Sequence, residues 1–340
     1  MYDISVDIIN QVKDKVSAAS SISVIGHSAP DADAVTSVLS LYAFFSKLYP
    51  DKKIYPVLPD DLPNYVLWLE NLDKLLIGEQ AQDVLVGSDV IFFVDLNEQK
   101  RVGDLEEAVA SSGAFKVVID HHPEPENFAD VLISFPQAGS TTEIIFSFLK
   151  LYDQKAIDKL IATYIFTGIL TDTGCFCHDS ATDRTFAAVS ELLRYGVEKS
   201  RIIDNIYHNY SFDRMRLMGY VLYKKMKIIP EYQFGYIVLT RQELEQFNFK
   251  FGDHENFVNL PLSVKGITVS AMFMEREDFV RVSLRSTGTV DVGQVAKTFL
   301  SGGGHKNAAG GNMDLPVDAA VERFLTEILP QIFNYAQQKN

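Results

Sequence analysis

The sequence is poor in cysteine, which argues against a disulfide framework. Its 340 residues include two, Cys175 and Cys177, with a single residue between them. A disulfide between cysteines so close along the chain is geometrically unfavourable. Reduced thiols are typical of proteins in the cytoplasm. We therefore expect a cytoplasmic protein with both thiols free.

Long apolar runs are also absent. No stretch reaches the roughly 18 uninterrupted apolar residues that indicate a transmembrane helix, and Asp3 and Asp7 lie near the start of the chain without an apolar run. We expect neither a membrane segment nor a signal peptide. A composition of 47% hydrophobic and 22% charged residues is that of an ordinary globular protein.

Positive charge is in short supply. Lys and Arg total 31 against 45 Asp and Glu, so the formal charge is 31 − 45 = −14. Such a chain is not expected to hold long duplex nucleic acid by neutralising its backbone. An anionic substrate would have to be attracted by metal ions or by a local basic patch.

The length and the order of elements predict two domains. Strands alternate with helices in the first half, which indicates an α/β domain with a mostly parallel, doubly wound sheet. Predicted strands there are Ile22–Ile25, Lys53–Leu58, Asp89–Asp95, Lys116–Asp120 and Val131–Phe135. Pro56 predicts an edge position for the second of these strands, because proline cannot donate to a neighbouring strand.

The second half differs in pattern and predicts a smaller α/β domain with a mixed or antiparallel sheet. A tight glycine turn is expected at 302–305 and a closing helix at 317–337. We place the domains at residues 1–195 and 226–340, joined by a helical linker at 196–225.

One loop carries the first candidate ligands. His27, Asp31 and Asp33 follow the strand Ile22–Ile25 and precede a helix, which is where open α/β sheets hold their ligands. Each aspartate could instead cap the helix, and His27 could be an ordinary loop residue.

Later segments of the first half end in similar side chains. Parallel strands bring their carboxyl ends to one edge of the sheet, so these groups can converge with the first loop. They are Asp95, Asp120, His121, His122 and Asp172. Carboxylates with imidazoles and no cysteine suit Mn²⁺, Mg²⁺ or Fe²⁺, and there are enough of them for a two-metal site.

The motifs resemble those of the DHH phosphoesterase family. VIGHSAPDADAVTS, FFVDL, VVIDHHP and GILTDTG correspond to its four motifs in order, while VSLRS at 282–286 and GGGHKNAAG at 302–310 resemble the accompanying DHHA1 domain. The combination is most similar to the branch that hydrolyses nano-RNA and 3′-phosphoadenosine-5′-phosphate (pAp). Ala32 stands where that family usually has glycine, which removes no ligand.

The resemblance implies two divalent cations, with Mn²⁺ as the expected metal. It assigns His27 and Asp31 to one ion. It assigns Asp33, His121 and Asp172 to the other ion, and it assigns Asp95 to both. Catalysis is predicted to involve Asp95, His122 near the phosphate, and Asp120 as the group that orients a histidine ring. A purely structural hydrogen bond is the alternative for His122.

Substrate binding is assigned to the second domain. An arginine fork grips a phosphate and backbone N–H groups of a glycine turn can cradle one. The predicted residues are Arg285, Gly302, Gly303, Gly304 and His305. Arg101 either reaches a phosphate or forms a surface ion pair.

These features predict a two-metal hydrolase of short oligonucleotides or pAp, acting exonucleolytically, with a homodimer as a family-level expectation. Three alternatives stay open. The first is a phosphodiesterase of cyclic di-AMP or its linear product pApA. The second is an exopolyphosphatase or pyrophosphatase, and the third is a non-catalytic nucleotide-binding regulator.

Overall fold

The computed structural model describes residues 2–337. The chain divides into two compact units between Asn209 and Tyr210, which lies inside the segment predicted to be a linker. The finer bounds at 195 and 226 stay a prediction. Over the described part of the chain, no helix combines the length and the apolar character needed to cross a membrane.

The first unit is built on a six-stranded parallel sheet. Its strands are β1 (Ser21–Ile25), β2 (Lys53–Leu58), β3 (Leu76–Ile77), β4 (Val90–Val94), β5 (Phe115–Asp120) and β6 (Val131–Ser134). They lie in the order β3-β2-β1-β4-β5-β6, and every neighbouring pair is parallel. The predicted parallel sheet is therefore confirmed.

Helices cover both faces of this sheet. They are α1 (Val6–Ala18), α2 (Ala32–Leu48), α3 (Gln82–Val86), α4 (Glu106–Ser111), α5 (Thr141–Asp153), α6 (Lys159–Asp172), α7 (Asp183–Arg194) and α8 (Lys199–Tyr207). Alternate residues of β4 face two separate apolar clusters: Phe92 packs with α2 and α5, and Phe93 packs with α3 and α4. The doubly wound arrangement follows from strands that are apolar on both sides.

The predicted edge position of β2 is wrong. The two-residue strand β3 lies outside it and pairs with Val57 and Leu58. Pro56 pairs with Val24 of β1 and comes one residue before that outer ladder begins. Proline is tolerated because the outer pairing is so short.

The second unit contains a mixed six-stranded sheet. Its strands are β7 (Lys227–Ile229), β8 (Phe234–Leu239), β9 (Val269–Glu275), β10 (Val280–Ser286), β11 (Gly303–His305) and β12 (Ala308–Met313). The order is β11-β12-β10-β9-β8-β7, with β8 and β9 parallel and the other pairs antiparallel. This confirms the predicted mixed sheet.

Each face of the second sheet has its own apolar cluster. The helices of this unit are α9 (Phe212–Tyr220), α10 (Arg241–Gln246), α11 (Val292–Phe299), α12 (Val317–Arg323) and α13 (Leu329–Gln337). Phe273 and Leu284 pack with α11 and α12 on one face. Met272 and Met274 pack on the other face with α9 and α10.

The predicted glycine turn at 302–305 is wrong. Gly303 to His305 form β11 and pair with β12, so the turn falls at Lys306 and Asn307. A Cβ atom at Gly302 would lie 2.0 Å from the Gly310 carbonyl oxygen. Glycine is required there because two backbone segments approach closely, which a sequence pattern read as a turn does not reveal.

Candidate active site

His27 is held so that one ring nitrogen faces the loop carboxylates. It lies just after β1 and is 6% exposed. Its Nδ1 contacts the Ser28 carbonyl oxygen at 2.8 Å. Its Nε2 lies 4.0 Å from Asp31 Oδ1 and 3.4 Å from Asp95 Oδ2. Asp31 also caps α2 by accepting from the Ala34 N–H at 3.1 Å, so the cap and the ligand roles are compatible.

Asp95 lies between two groups of potential ligands. It follows β4 directly and adopts a left-handed backbone, with φ of 62°. One carboxylate oxygen, Oδ2, faces His27, whereas Oδ1 lies 3.5 Å from His121 Nε2. A single carboxylate therefore presents one oxygen to each group.

The second group comes from three elements. Asp33 lies in the first turn of α2, His121 follows β5, and Asp172 is the last residue of α6. His121 Nε2 lies 3.4 Å from Asp172 Oδ2, and its Nδ1 contacts the Ala138 carbonyl oxygen at 3.2 Å. Potential ligand atoms of Asp33, His121 and Asp172 all lie within 4.8 Å of one another, as do those of His27, Asp31 and Asp95.

Asp120 and His122 form a pair beside Asp95. Asp120 Oδ1 contacts His122 Nδ1 at 2.8 Å, and Oδ2 accepts from the His122 backbone N–H at 2.9 Å. His122 Nδ1 is also 3.7 Å from Asp95 Oδ1. Asp120 is completely buried, and its carboxylate holds the His122 ring and backbone; its role in orienting that ring for catalysis stays a prediction.

Sequence reasoning missed two threonines at the start of α5. The Thr141 N–H donates to Asp33 Oδ2 at 2.6 Å, and its hydroxyl donates to Asp95 Oδ1 at 2.8 Å. The Thr142 hydroxyl donates to Asp33 Oδ1 at 2.7 Å. The available signal is Ser140, which caps α5 by accepting from the Glu143 N–H at 3.1 Å, because helix N-termini attract carboxylates.

Gly168 of α6 allows Asp33 and Thr142 to approach each other. A Cβ atom there would lie 2.5 Å from both Asp33 Oδ1 and the Thr142 hydroxyl oxygen. Glycine within a buried helix thus makes room for the carboxylate of α2 and the N-terminus of α5.

The carboxylates influence each other strongly. Burial raises the pKa of Asp33 well above its usual value, and the negative charges of Asp95 and Asp172 raise it further. Burial has the same tendency at Asp95, but a hydrogen bond with His27 and the charges of three histidines hold the pKa of Asp95 well below its usual value. The site therefore concentrates more negative charge than its own groups neutralise.

The histidines respond to the same charges. Burial lowers the pKa of both His27 and His121, but the carboxylates around each outweigh it, so both pKa values are raised. The pKa of His122 is lowered, first by burial and then by the positive charge of Arg101. Arg101 itself is half-buried, with Nη1 3.5 Å from the Asp95 carbonyl oxygen.

This donor set fits divalent cations. Two imidazoles have their Nδ1 atoms at backbone carbonyls, which leaves Nε2 for a metal. The remaining donors are carboxylates, which suit hard and borderline cations. Cys175 and Cys177 are exposed, and among residues 2–337 they join no cluster of potential ligands.

The predicted substrate-binding residues lie together in the second unit. Arg285 is in β10, where it pairs with Ala308 of β12, and His305 of β11 pairs with the same Ala308. The glycines precede or belong to β11. Their role in binding stays a prediction.

Two family descriptions match the chain. The DHH family N-terminal domain matches residues 21–169, and the DHHA1 domain matches residues 232–333. The first match spans both groups of potential ligands except Asp172, and the second spans the mixed sheet from β8 onward.

Similar proteins cover nearly the whole chain. A "Probable bifunctional oligoribonuclease and PAP phosphatase NrnA" of Streptococcus mutans is 29% identical, covering 88% of this chain and 91% of that protein. A "Bifunctional oligoribonuclease and PAP phosphatase NrnA" of Thermus thermophilus is 30% identical, covering 90% and 88%. A crystal structure of an exopolyphosphatase-related protein from Bacteroides fragilis is 34% identical, with a TM-score of 0.90 over 98% of this chain and 99% of that one.

The domain matches, the extent of these similarities and the buried histidine–carboxylate site lead to one assignment. The chain belongs to the DHH family, carries a DHHA1 domain, and is a hydrolase of phosphate ester bonds.

Proposed function

We propose that this protein hydrolyses short oligoribonucleotides and pAp with the aid of two divalent cations, most simply Mn²⁺. The observation that carries the proposal is the position of Asp95, whose two oxygens face two separate groups of ligands. His27 and Asp31 would hold one cation, Asp33, His121 and Asp172 the other, and Asp95 would contact both.

Cations bound there would supply Lewis-acid activation of a water and of the phosphate. The chain's own groups have distinct tasks. His122, whose ring is held by Asp120 through Nδ1, would lie near the phosphate as a hydrogen-bond donor or orienting group. Arg101, whose positive charge acts on both His27 and His122, would stabilise the charge on the reacting phosphate.

The choice of substrate is supported by the similar proteins. Two relatives that match this chain over most of its length carry the names oligoribonuclease and PAP phosphatase. Short nucleotides also agree with a net charge of −14, because they need no long basic track.

The test is a product time course with purified protein and Mn²⁺ on a 5′-labelled trinucleotide, pAp, pApA, cyclic di-AMP and inorganic polyphosphate. We expect mononucleotide release from the trinucleotide and phosphate release from pAp, both abolished by EDTA and restored by Mn²⁺. Turnover of cyclic di-AMP or polyphosphate alone would contradict the proposal.

A further inference from the structure

Strand β10 presents a row of polar side chains on one face of the second sheet. Val282 and Leu284 of β10 are buried in the apolar cluster beneath α11 and α12. Side chains alternate along a strand. Arg281, Ser283 and Arg285 therefore lie on the opposite face, where Arg281 is exposed and the other two are half-buried.

On the neighbouring strand β12, short side chains lie beside this row. Arg281 pairs with Asn312 of β12, and Ser283 pairs with Gly310. Arg281 Nη1 donates to Asn312 Oδ1 at 3.2 Å, and a Cβ atom at Gly310 would come within 3.4 Å of Arg281 Nη2. We call the five residues Arg281, Ser283, Arg285, Gly310 and Asn312 the arginine strip.

More positive charge lies at the Arg281 end of the strip. His254 is half-buried there, and its pKa falls to about 4 because of burial and then the charges of Arg276, Arg281 and Arg214. Burial also lowers the pKa of Arg214 and of Arg281; the charge of Glu255 opposes this at both residues, and Asp253 opposes it at Arg214. Within residues 2–337, these three arginines form no ion pair with a carboxylate within 4.0 Å.

Arg214 is an unusual part of this group. It is 5% exposed, its Nη1 has no hydrogen-bond partner, and its guanidinium stacks 3.4 Å from the centre of the Tyr210 ring. Its Nη2 donates to the Glu255 carbonyl oxygen at 3.0 Å. Burying a charge without an ionic partner is costly, so the local field favours an anion from outside the chain.

The two units also differ in net charge, and the second unit is the less negative one. Residues 1–209 carry 16 basic and 31 acidic side chains, a net charge of 16 − 31 = −15. Residues 210–340 carry 15 and 14, a net charge of 15 − 14 = +1. An anionic chain is therefore repelled less by the second unit than by the first, and the charges of Arg214, Arg276 and Arg281 define where on that unit it is attracted.

We propose that the arginine strip binds the phosphate backbone of a short oligonucleotide, with Arg281 contacting a phosphate beyond the one held at Arg285. This inference rests on the proposed function and concerns the length of the preferred substrate. The two arginines are four residues apart in one strand, or about 13 Å at the usual rise. They are therefore placed for separate phosphates of an oligonucleotide rather than for one nucleotide.

The substitution Arg281→Gln tests the strip, and Arg323→Gln is the matched control. Arg323 lies in α12 of the same unit and pairs with Glu327 at 3.3 Å. We expect Arg281→Gln to raise KM for a 5′-phosphorylated tetranucleotide about tenfold more than for pAp, which is the size of one lost charge-assisted contact. The effect is expected in KM, with kcat nearly unchanged.

Equilibrium binding gives a readout that does not depend on turnover. For a non-hydrolysable phosphorothioate tetranucleotide, the slope of log affinity against log salt is expected to fall by about 0.7 in Arg281→Gln, the value for one lost single-strand phosphate contact. An unchanged slope, or equal KM changes for tetranucleotide and pAp, would overturn the proposal that the arginine strip binds the phosphate backbone. Failure of the wild-type protein to hydrolyse either substrate would instead contradict the proposed function, and the binding slope would still test the strip.

Discussion

The hydroxyl of Thr141 donates a hydrogen bond to Asp95 Oδ1 at 2.8 Å, while the N–H of the same residue donates to Asp33 Oδ2 at 2.6 Å. One residue at the start of α5 thus fixes a carboxylate from each of two separate segments. It contacts the proposed bridging ligand and a proposed ligand of the second cation.

Replacing Thr141 with valine is expected to weaken metal binding. Valine keeps the shape and the backbone N–H but removes the hydroxyl that orients Asp95. Loss of such a supporting hydrogen bond typically costs 10–100-fold in metal affinity or activity. Calorimetric titration with Mn²⁺ measures the affinity, and Thr141→Ser should restore most of it. Equal affinities in wild type and Thr141→Val would show that the hydroxyl is not needed.

Asp95→Asn tests the bridging carboxylate with little disturbance to the backbone. Asparagine tolerates the left-handed conformation at this position, where φ is 62°. We expect kcat to fall about 100- to 1,000-fold, as is typical for loss of one electrostatic group in an active site, with an unchanged circular dichroism spectrum. The exposed Asp104→Asn is the control and should behave as wild type. Substantial turnover in Asp95→Asn would exclude the bridging role.

Gly168→Ala should destabilise the protein although alanine favours helices. The added Cβ would lie 2.5 Å from Asp33 Oδ1, and overpacking of this kind costs about 1–3 kcal/mol. Gly219→Ala in α9 is the matched control, because nothing lies within 4 Å of its Cβ position; it should stabilise by up to about 1 kcal/mol. Thermal unfolding of both variants checks the sign. A Tm for Gly168→Ala at or above that of wild type would show that the helices can separate without cost.

His254 should make stability depend on pH. Its pKa is lowered to about 4 in the folded protein, against about 6.5 when unfolded. The unfolded chain therefore binds this proton first, and stability present above pH 6.5 is lost as the pH falls toward 4, by at most about 3 kcal/mol. Urea unfolding at pH 7 and pH 4.5 should show a larger loss of unfolding free energy for wild type than for His254→Gln. Equal losses would mean that His254 is not kept neutral by the fold.

Much of the first unit could be predicted because its signals are local. Apolar strands followed by Asp95 or by Asp120 and His121 mark the edge of a parallel sheet, and the six predicted ligands do fall into two groups. Their roles as ligands stay a prediction. Asp172 lies at the end of a helix rather than at the end of a strand. Helices therefore also contribute side chains to this edge of the sheet.

The errors and omissions have a common physical cause. The glycine run predicts a turn, whereas in the structure its glycines permit close approach to β12. The importance of Thr141 and Gly168 depends on which helices meet, and that of Arg214 and Arg281 depends on which strand face is covered. Such features arise from tertiary packing and leave little periodic signal in the sequence.

The central claim is that one carboxylate joins two cation sites. Anomalous diffraction from crystals grown with Mn²⁺ tests it most directly. We expect two peaks about 3.5–4 Å apart, one beside His27 and Asp31, the other beside Asp33, His121 and Asp172, with an oxygen of Asp95 bound to each. A single peak, or peaks away from Asp95, would contradict the account.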